Sequence, residues 1–344
     1  MLLKALGSKP RGKRLERILS SPNYKNGSFQ NLSPTEVMLK DASFFEVMRK
    51  FIAKPKTTIP SHQLKPVHTD LRTLTADTPV IVWFGHSSYC IKSRGLTVLV
   101  DPVFSGNASP VSAFAKAFPG ADAYSAADFD MVDMLIITHD HYDHLDYKTI
   151  KELEPKIKKI CTSLGVGAHL EYWGIEPDKI TELDWWESAS PLTDVSVTAT
   201  PARHFSGRGI KRGLTLWSSF VLNLHGHNIY IGGDSGYDDH FKKIGSKYGP
   251  FEIALLETGQ YGDQWPQIHM KPEEAVQAAI DLRTSVMMPV HWGKFALSIH
   301  DWQEPIRRAV AEAHRLQMPL TTPAIGQPVV LNADHPETEW WEQK

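Results

Sequence analysis

Between Thr138 and Asp146 the chain reads Thr-His-Asp-His-Tyr-Asp-His-Leu-Asp, three histidines and three aspartates within the eight residues from His139. A satisfied core does not explain so dense a run of titratable groups. Imidazole and carboxylate donors suit zinc and tolerate iron or manganese. In an extended loop His139 and His141 project to one side, while Asp143 and His144 fall at the turn into the next helix. One loop can thus offer two ligands to each of two ions.

Two ions need further donors, and the candidates stand at the ends of later apolar runs. His204 lies in Thr200-Pro-Ala-Arg-His-Phe and His291 in Pro289-Val-His-Trp-Gly. Asp234 lies in Gly232-Gly-Asp-Ser-Gly, where small neighbours let a carboxylate come close and bridge. A metal-bound histidine usually has its other ring nitrogen held by an acceptor. Asp101, closing Val98-Leu-Val-Asp-Pro, is the expected acceptor. Asp146 is a second candidate, with capping of the following helix as its alternative. His86, His225, His227, His240, His269, His300 and His314 compete by residue type. His225 and His227 flank Gly226 in an expected hairpin turn and read as solvent-exposed.

The elements that must carry these residues are short apolar runs typical of buried strands: Val80-Ile-Val-Trp-Phe, Thr97-Val-Leu-Val, Met134-Leu-Ile-Ile, Val195-Ser-Val-Thr-Ala-Thr, Asn228-Ile-Tyr-Ile, Ile253-Ala-Leu-Leu and Val286-Met-Met-Pro-Val. Helical runs lie between them, as at Pro272 to Arg283. Two β-rich halves covered by helices are expected, an α/β fold with residues 80–344 as one hydrolase domain. Residues 1–79 read as an N-terminal arm and helix packing on it. Lys4, Lys9, Arg11, Lys13, Arg14 and Arg17 face only Glu16 in the first twenty positions, which predicts a solvated arm or a contact with anionic lipid. Ser33, Pro34 and Glu36 predict a capped helix start. Its apolar side would be Val37, Met38, Phe44, Phe45, Val47, Met48, Phe51 and Ile52. Residues 54–79 read as a connecting arm.

A net charge of −2 over 344 residues gives no reason to expect nucleic acid as a partner. Cys90 and Cys161 read as buried free thiols. No apolar stretch of about 18 residues predicts a membrane span. The expected compartment is the cytoplasm, with peripheral attachment at the inner face of a membrane through the basic arm as a variant. A homodimer is compatible with the sequence.

The His-x-His-x-Asp-His loop with His204, Asp234 and His291 resembles the metallo-β-lactamase superfamily. Trp83-Phe-Gly-His, Asp101-Pro-Val-Phe-Ser, Tyr142-Asp-His-Leu-Asp-Tyr, Glu182-Leu-Asp-Trp-Trp-Glu, Gly233-Asp-Ser-Gly-Tyr and His269-Met-Lys-Pro-Glu-Glu-Ala narrow the resemblance. Within the superfamily the chain is similar to the phospholipases D that hydrolyse N-acyl-phosphatidylethanolamine. It departs from them after His204, over Phe205-Ser-Gly-Arg-Gly-Ile, and before His269, over Gln264-Trp-Pro-Gln-Ile. The resemblance implies a metallo-β-lactamase-like αββα sandwich and two zinc ions. One ion would sit on His139, His141 and His204, the other on Asp143, His144 and His291, with Asp234 bridging. Asp143 and Asp234 would be the catalytic carboxylates, and Tyr142 and His269 would contact the substrate phosphate. The function so implied is metal-dependent hydrolysis of a phospholipid phosphodiester. A lactonase, a sugar-phosphate hydrolase or a non-catalytic metal-binding protein on the same fold are the alternatives.

Overall fold

The computed structural model describes residues 2–40, 48–51, 53–111 and 114–343. The chain opens with two short helices, α1 (Leu2–Ala5) and α2 (Gly12–Ser20), and a small hairpin, β1 (Tyr24–Lys25) and β2 (Ser28–Phe29). The first half of the main body follows: β3 (Val80–Trp83), β4 (Tyr89–Ser93), β5 (Leu96–Val100), β6 (Val132–Ile137), α3 (Tyr147–Leu153), β7 (Ile157–Ser163), α4 (Gly167–Tyr172) and β8 (Ile180–Leu183). The second half is β9 (Ser188–Leu192), β10 (Val195–Pro201), β11 (Ser218–Leu224), β12 (His227–Ile231), α5 (His240–Tyr248), β13 (Phe251–Glu257), α6 (Pro272–Asp281), β14 (Thr284–Val290), α7 (Glu304–Leu316) and β15 (Pro328–Val330). One sheet has the order β15-β3-β4-β5-β6-β7-β8 and the other β14-β13-β12-β11-β10-β9.

Side-chain alternation builds the layers. Ile81, Trp83, Val98, Val100, Met134 and Ile136 point inward and meet Val197, Ala199, Phe220, Leu222, Ile253 and Leu255 of the other sheet. Their neighbours Val80, Val82, Leu99, Leu135 and Ile137 point outward onto Ile150 and Leu153 of α3 and Leu170 of α4. Tyr230, Ala254 and Met287 point outward onto Phe241 and Ile244 of α5 and Ala275, Val276 and Ala279 of α6. Helix, sheet, sheet, helix is the expected αββα sandwich. Both faces of each central strand are buried, which is why these segments read as unbroken apolar runs.

Three expectations change. The first thirty residues are not a solvated tail. Arg14 pairs with Glu171 and Glu182 at 2.6 Å each, and Arg17 pairs with Glu187. Ile18 and Phe29 are buried with Leu164, Trp185 and Trp217. The charge that looked free in sequence is thus partly neutralised by acids more than 150 residues away. The capped helix start at Ser33 also does not form: residues 33–40 are bends, a turn and irregular chain, and within the described part of 33–53 helix is found only at 48–51. The main-chain N–H of Glu36 donates to the Gln267 side chain (2.6 Å) and that of Leu39 to the Gln264 carbonyl (2.9 Å), so these groups bond to the main body and not to a helix. Phe44, Phe45, Val47 and Ile52 lie outside the described residues. Lastly, His225 and His227 are half-buried. They pair with Ser93 and Glu252 across a turn whose His225 and Gly226 both have positive φ. Cys90 and Cys161 are buried free thiols.

Candidate metal centre

Strand direction gathers the site. β3 and β5 are both antiparallel to β4, and β6 is parallel to β5. β10 and β12 are both antiparallel to β11, and β13 and β14 are parallel to β12. Within each sheet these strands therefore end on one edge. His86, Asp101 and the 138–146 loop leave the first set; His204, Asp234 and His291 leave the second. Main-chain bonds tie the two edges together: His86 N–H to the Trp292 carbonyl, His291 N–H to the His86 carbonyl, and Ser218 N–H to the Thr138 carbonyl. Gly233 has to be glycine for this approach, since a Cβ there would sit 2.7 Å from the Ser218 carbonyl oxygen and 3.1 Å from Thr138 Cβ. His86, Asp101 and His291 all have positive φ, at 53°, 40° and 66°. Such backbone costs on the order of 1 kcal/mol per residue and persists where the surroundings over-determine it.

Two half-shells of donors face each other across Asp234. In the first, His141 Nδ1 lies 2.9 Å from His139 Nε2 and 3.2 Å from His204 Nε2. Asp234 Oδ2 lies 3.8 and 3.7 Å from those two Nε2 atoms. In the second, His144 Nε2 lies 3.7 Å from Asp143 Oδ2 and 3.1 Å from Asp234 Oδ1, and His291 Nδ1 lies 3.2 Å from the same Oδ1. Four ligands around a tetrahedral zinc stand about 3.4 Å apart. The spacings bracket that figure in both half-shells.

The hydrogen bonds behind the rings fix which nitrogens carry lone pairs. His204 Nδ1 donates to the Ile268 carbonyl (2.8 Å) and His144 Nδ1 to Asp101 (2.8 Å), leaving each Nε2 as an acceptor facing inward. Thr138 gives its hydroxyl proton to Asp101 (2.6 Å), so it accepts from His139 Nδ1 (3.0 Å). His139 Nε2 is then also a lone pair. Lone pairs converging on one point repel unless a cation lies between them. His144 Nε2 and Asp234 Oδ1 are buried without a hydrogen-bond partner. Buried, inward-facing donors of this kind form groups that could hold metal ions.

Electrostatics agree. Burial holds His139, His204 and His291 well below the usual imidazole range and brings His141 down to about 4. These rings are neutral and ligand-ready at pH 7. Burial would lower His144 too, but Asp234, Asp143 and Asp101 together hold it well above 6.5 in the metal-free protein. Burial pushes Asp234 up to about 6. Acids and bases this close are poised to exchange their shared protons for a cation.

All seven expected ligands meet here, and Asp101 sits behind His144 and Thr138 as expected. Two expectations do not hold. Asp146 reaches none of the histidines: it caps α3 through Lys148 N–H (3.2 Å) and takes the Thr149 hydroxyl (2.5 Å) and Ser105 N–H (3.1 Å). Tyr142 does not join His269. Its hydroxyl donates to the Arg208 carbonyl (2.7 Å), and its ring lies under the Arg208 guanidinium. Lying between two inward-facing ligands on one loop, Tyr142 is turned outward. His269 does belong to the site, with its ring 5.0 Å from that of His204 and Nδ1 2.6 Å from Glu257.

Sequence reasoning missed several contributors. His86 is fully buried, with Nε2 3.0 Å from Asp143 Oδ2. It follows an apolar run just as His204 does, and that signal could have found it. Glu257 ends β13 in the same way; it takes Ser235 N–H (2.7 Å) and holds His269. The N-terminal segment left no such signal. Asn31 accepts from His204 N–H (3.0 Å) and Trp217 Nε1 (3.0 Å) and donates to the His204 carbonyl (2.8 Å). Ser8 N–H donates to His169 Nδ1, and His169 Nε2 reaches Asp140 (3.2 Å), the residue between His139 and His141. Arg208 is buried and links the Ala5 carbonyl to those of Asp140 and Leu145.

The mouth of the centre is where His141, Asp143 and His269 are partly exposed. Beside it lies an apolar cluster of Val37, Met38, Phe51, Phe205, Trp265 and Ile268. Phe205 touches His141 edge-on, with centroids 4.5 Å apart.

Comparison with known proteins gives concordant results. The profile described as Beta-lactamase superfamily domain matches residues 97–292. An uncharacterised protein of Mycobacterium tuberculosis is 37% identical over 326 residues, 93% of this chain and 87% of the relative. N-acyl-phosphatidylethanolamine-hydrolyzing phospholipase D 1 of Caenorhabditis elegans is 32% identical over 238 residues, 64% of this chain and 65% of that protein. Among solved structures, Igni18, a metallo hydrolase from Ignicoccus hospitalis, matches with a TM-score of 0.58 over 75% of this chain and 100% of its own. At 20% identity that likeness concerns the fold alone.

Proposed function

This chain belongs to the beta-lactamase superfamily and has the fold of its metal-dependent hydrolases, and from that premise we propose that it is a dinuclear zinc phosphodiesterase of phospholipase D type acting on N-acyl-phosphatidylethanolamine-like lipids. The observation that carries this reading is the carboxylate of Asp234 shared by two donor sets beside an apolar mouth. His139, His141 and His204 would hold one ion, Asp143, His144 and His291 the other, and Asp234 both. Two divalent ions supply Lewis acidity, lowering the pKa of water and drawing charge from a phosphoryl oxygen. Hydrolysis forms a bond from phosphorus to the water oxygen and breaks the bond to the ethanolamine oxygen. The products are a phosphatidic-acid-like monoester and an N-acylethanolamine.

The chain's own residues position these events. Asp101 and the Ile268 carbonyl fix the tautomers of His144 and His204. His86 holds Asp143. His269, oriented by Glu257, stands at the mouth and orients the phosphate; Tyr142 takes no part in this reading. The apolar wall from Val37 to Ile268 takes an acyl chain. Exposed Leu3, Leu6, Leu15 and Leu19 beside Lys4, Lys9, Arg11 and Lys13 would give the protein a face for an anionic lipid surface. Among the described residues no helix is long and apolar enough to cross a membrane.

The test is a substrate panel on metal-analysed protein: N-acyl-phosphatidylethanolamine, a lactone and a sugar phosphate. Release of N-acylethanolamine, abolished by His141→Ala, is expected. Turnover of the lactone alone would overturn the reading.

A further inference from the structure

An open cleft of about 220 Å³ runs between the N-terminal segment and the loop after β10, with Phe29, Asn31, Val37, Phe205, Arg212 and Trp217 among its walls and His204 of the metal centre in its lining. Three arginines follow β10 closely, and their situations differ. Arg203 is spent on the Thr35 hydroxyl and the carbonyls of Pro34 and Tyr237. Arg208 is buried and spent on three main-chain carbonyls. Arg212 is exposed, and among the described residues it has neither an acidic partner nor a hydrogen bond. Its guanidinium lies 4.8 Å over the Phe205 ring, the same ring that meets His141 edge-on. Among the described residues it is the one formally charged side chain in the cleft's lining. Stacking on an aromatic face holds a guanidinium in place and leaves its N–H edge free for a carboxylate or phosphate.

We propose that Arg212 is a specificity-determining residue and that the cleft beside His204 takes a second anionic group of the substrate. Resting on the phosphodiesterase reading, this narrows the substrate class to phosphodiesters that carry a further negative charge on one arm, placed one aromatic ring away from the reacting phosphate. Asn31 is committed to the His204 backbone, so it offers the incoming group nothing and leaves recognition to Arg212.

The experiment compares three short-chain substrates with the metal-loaded full chain: N-butanoyl-dihexanoyl-phosphatidylethanolamine, its N-succinyl counterpart, and a diester carrying the carboxylate on the glycerol arm. Wild type is expected to favour one of the two dianionic esters by about fivefold to tenfold in kcat/KM, the scale of an exposed charge-assisted hydrogen bond. Arg212→Gln should bring that ratio to about one, and Arg212→Glu should invert it, with metal content unchanged. The same ratios are read as Kd from calorimetric titration of the matching non-hydrolysable phosphonates. If no diester is turned over but the phosphonate preference is present and lost in Arg212→Gln, the cleft assignment stands and the phosphodiesterase reading fails. A wild type without preference for either dianionic compound, or a preference that survives Arg212→Gln, overturns the proposal.

Discussion

The metal centre has a front and a back made in different ways. The front is side chains at strand ends, where His139, His204, Asp234 and His291 are placed by parallel strands that stop on one edge. The back is the first forty residues, which reach the residues supporting those donors largely through main-chain atoms: Ser8 N–H on His169 and the Ala5 carbonyl on Arg208, both of which contact Asp140 between His139 and His141. Asn31 is the exception, a side chain that grips both main-chain groups of His204. The first region supplies the donors. The second restrains how they move, so removing a donor and loosening a restraint should fail differently.

The largest effect is expected at Asp234. Asp234→Asn keeps the shape but removes the anion common to both donor sets, which costs several kcal/mol of charge stabilisation, or about a thousandfold or more in kcat. Kinetics with parallel metal analysis reads this out; near-normal turnover with full metal would show that Asp234 is not shared. Next comes the back. Asn31→Leu should leave the circular dichroism spectrum unchanged and weaken metal retention by about ten- to a hundredfold, the usual scale for residues that orient ligands. Chelator competition measures it, and an unchanged affinity would reduce the N-terminal segment to a cover.

pH sharpens the contrast further. Burial holds His139, His204 and His291 well below 6.5 and His141 at about 4, so in acid the unfolded chain takes up protons before the folded one. Metal-free protein should therefore be most stable above about pH 7 and lose stability as pH falls through about 6.5 toward 4. His144, raised well above 6.5, and Asp234, up at about 6, act in the opposite sense but are outnumbered. Residues 1–40 contain no histidine. Asn31→Leu should lower the whole Tm-against-pH curve without changing its slope between pH 5 and 7. A changed slope would mean that the back also sets the protonation of the front. The smallest effect is expected at Tyr142. Its hydroxyl serves a carbonyl outside the metal pair, so Tyr142→Phe should cost about 1 kcal/mol of stability and change kcat/KM by less than about threefold. A large, phosphodiester-selective loss would return Tyr142 to the substrate.

The same division explains what the sequence made legible. Apolar runs ending in His or Asp mark two β-rich halves covered by helices and the candidate donors at their ends, because buried strands and metal ligands both restrict residue type; the αββα sandwich and the sharing of seven donors between two ions were what the family resemblance implied. Glu257 obeys the same rule but received no role, and His86, although it closes Trp83-Phe-Gly-His, was left among the competing histidines because a single histidine after an apolar run does not by itself say what it holds. Tyr142 and Asp146 were misplaced because loop register alone does not say which residues turn outward and which cap α3. Ser8, Ala5 and Asn31 left no trace, since a main-chain atom or a lone polar side chain is compatible with almost any neighbour. Phe205-Ser-Gly-Arg-Gly-Ile and Gln264-Trp-Pro-Gln-Ile, where the chain departs from the phospholipases it resembles, supply Phe205, Trp265 and Ile268 of the apolar wall. On the proposed reading, substrate choice would be set where the resemblance is weakest.

The most direct test of the central claim is a metal count on purified, folded protein by plasma mass spectrometry, repeated on Asp234→Asn and His141→Ala. Two donor sets joined by one carboxylate predict about two ions per wild-type chain, with fewer retained by each variant. A folded, fully active wild type that holds one ion or none would contradict the account.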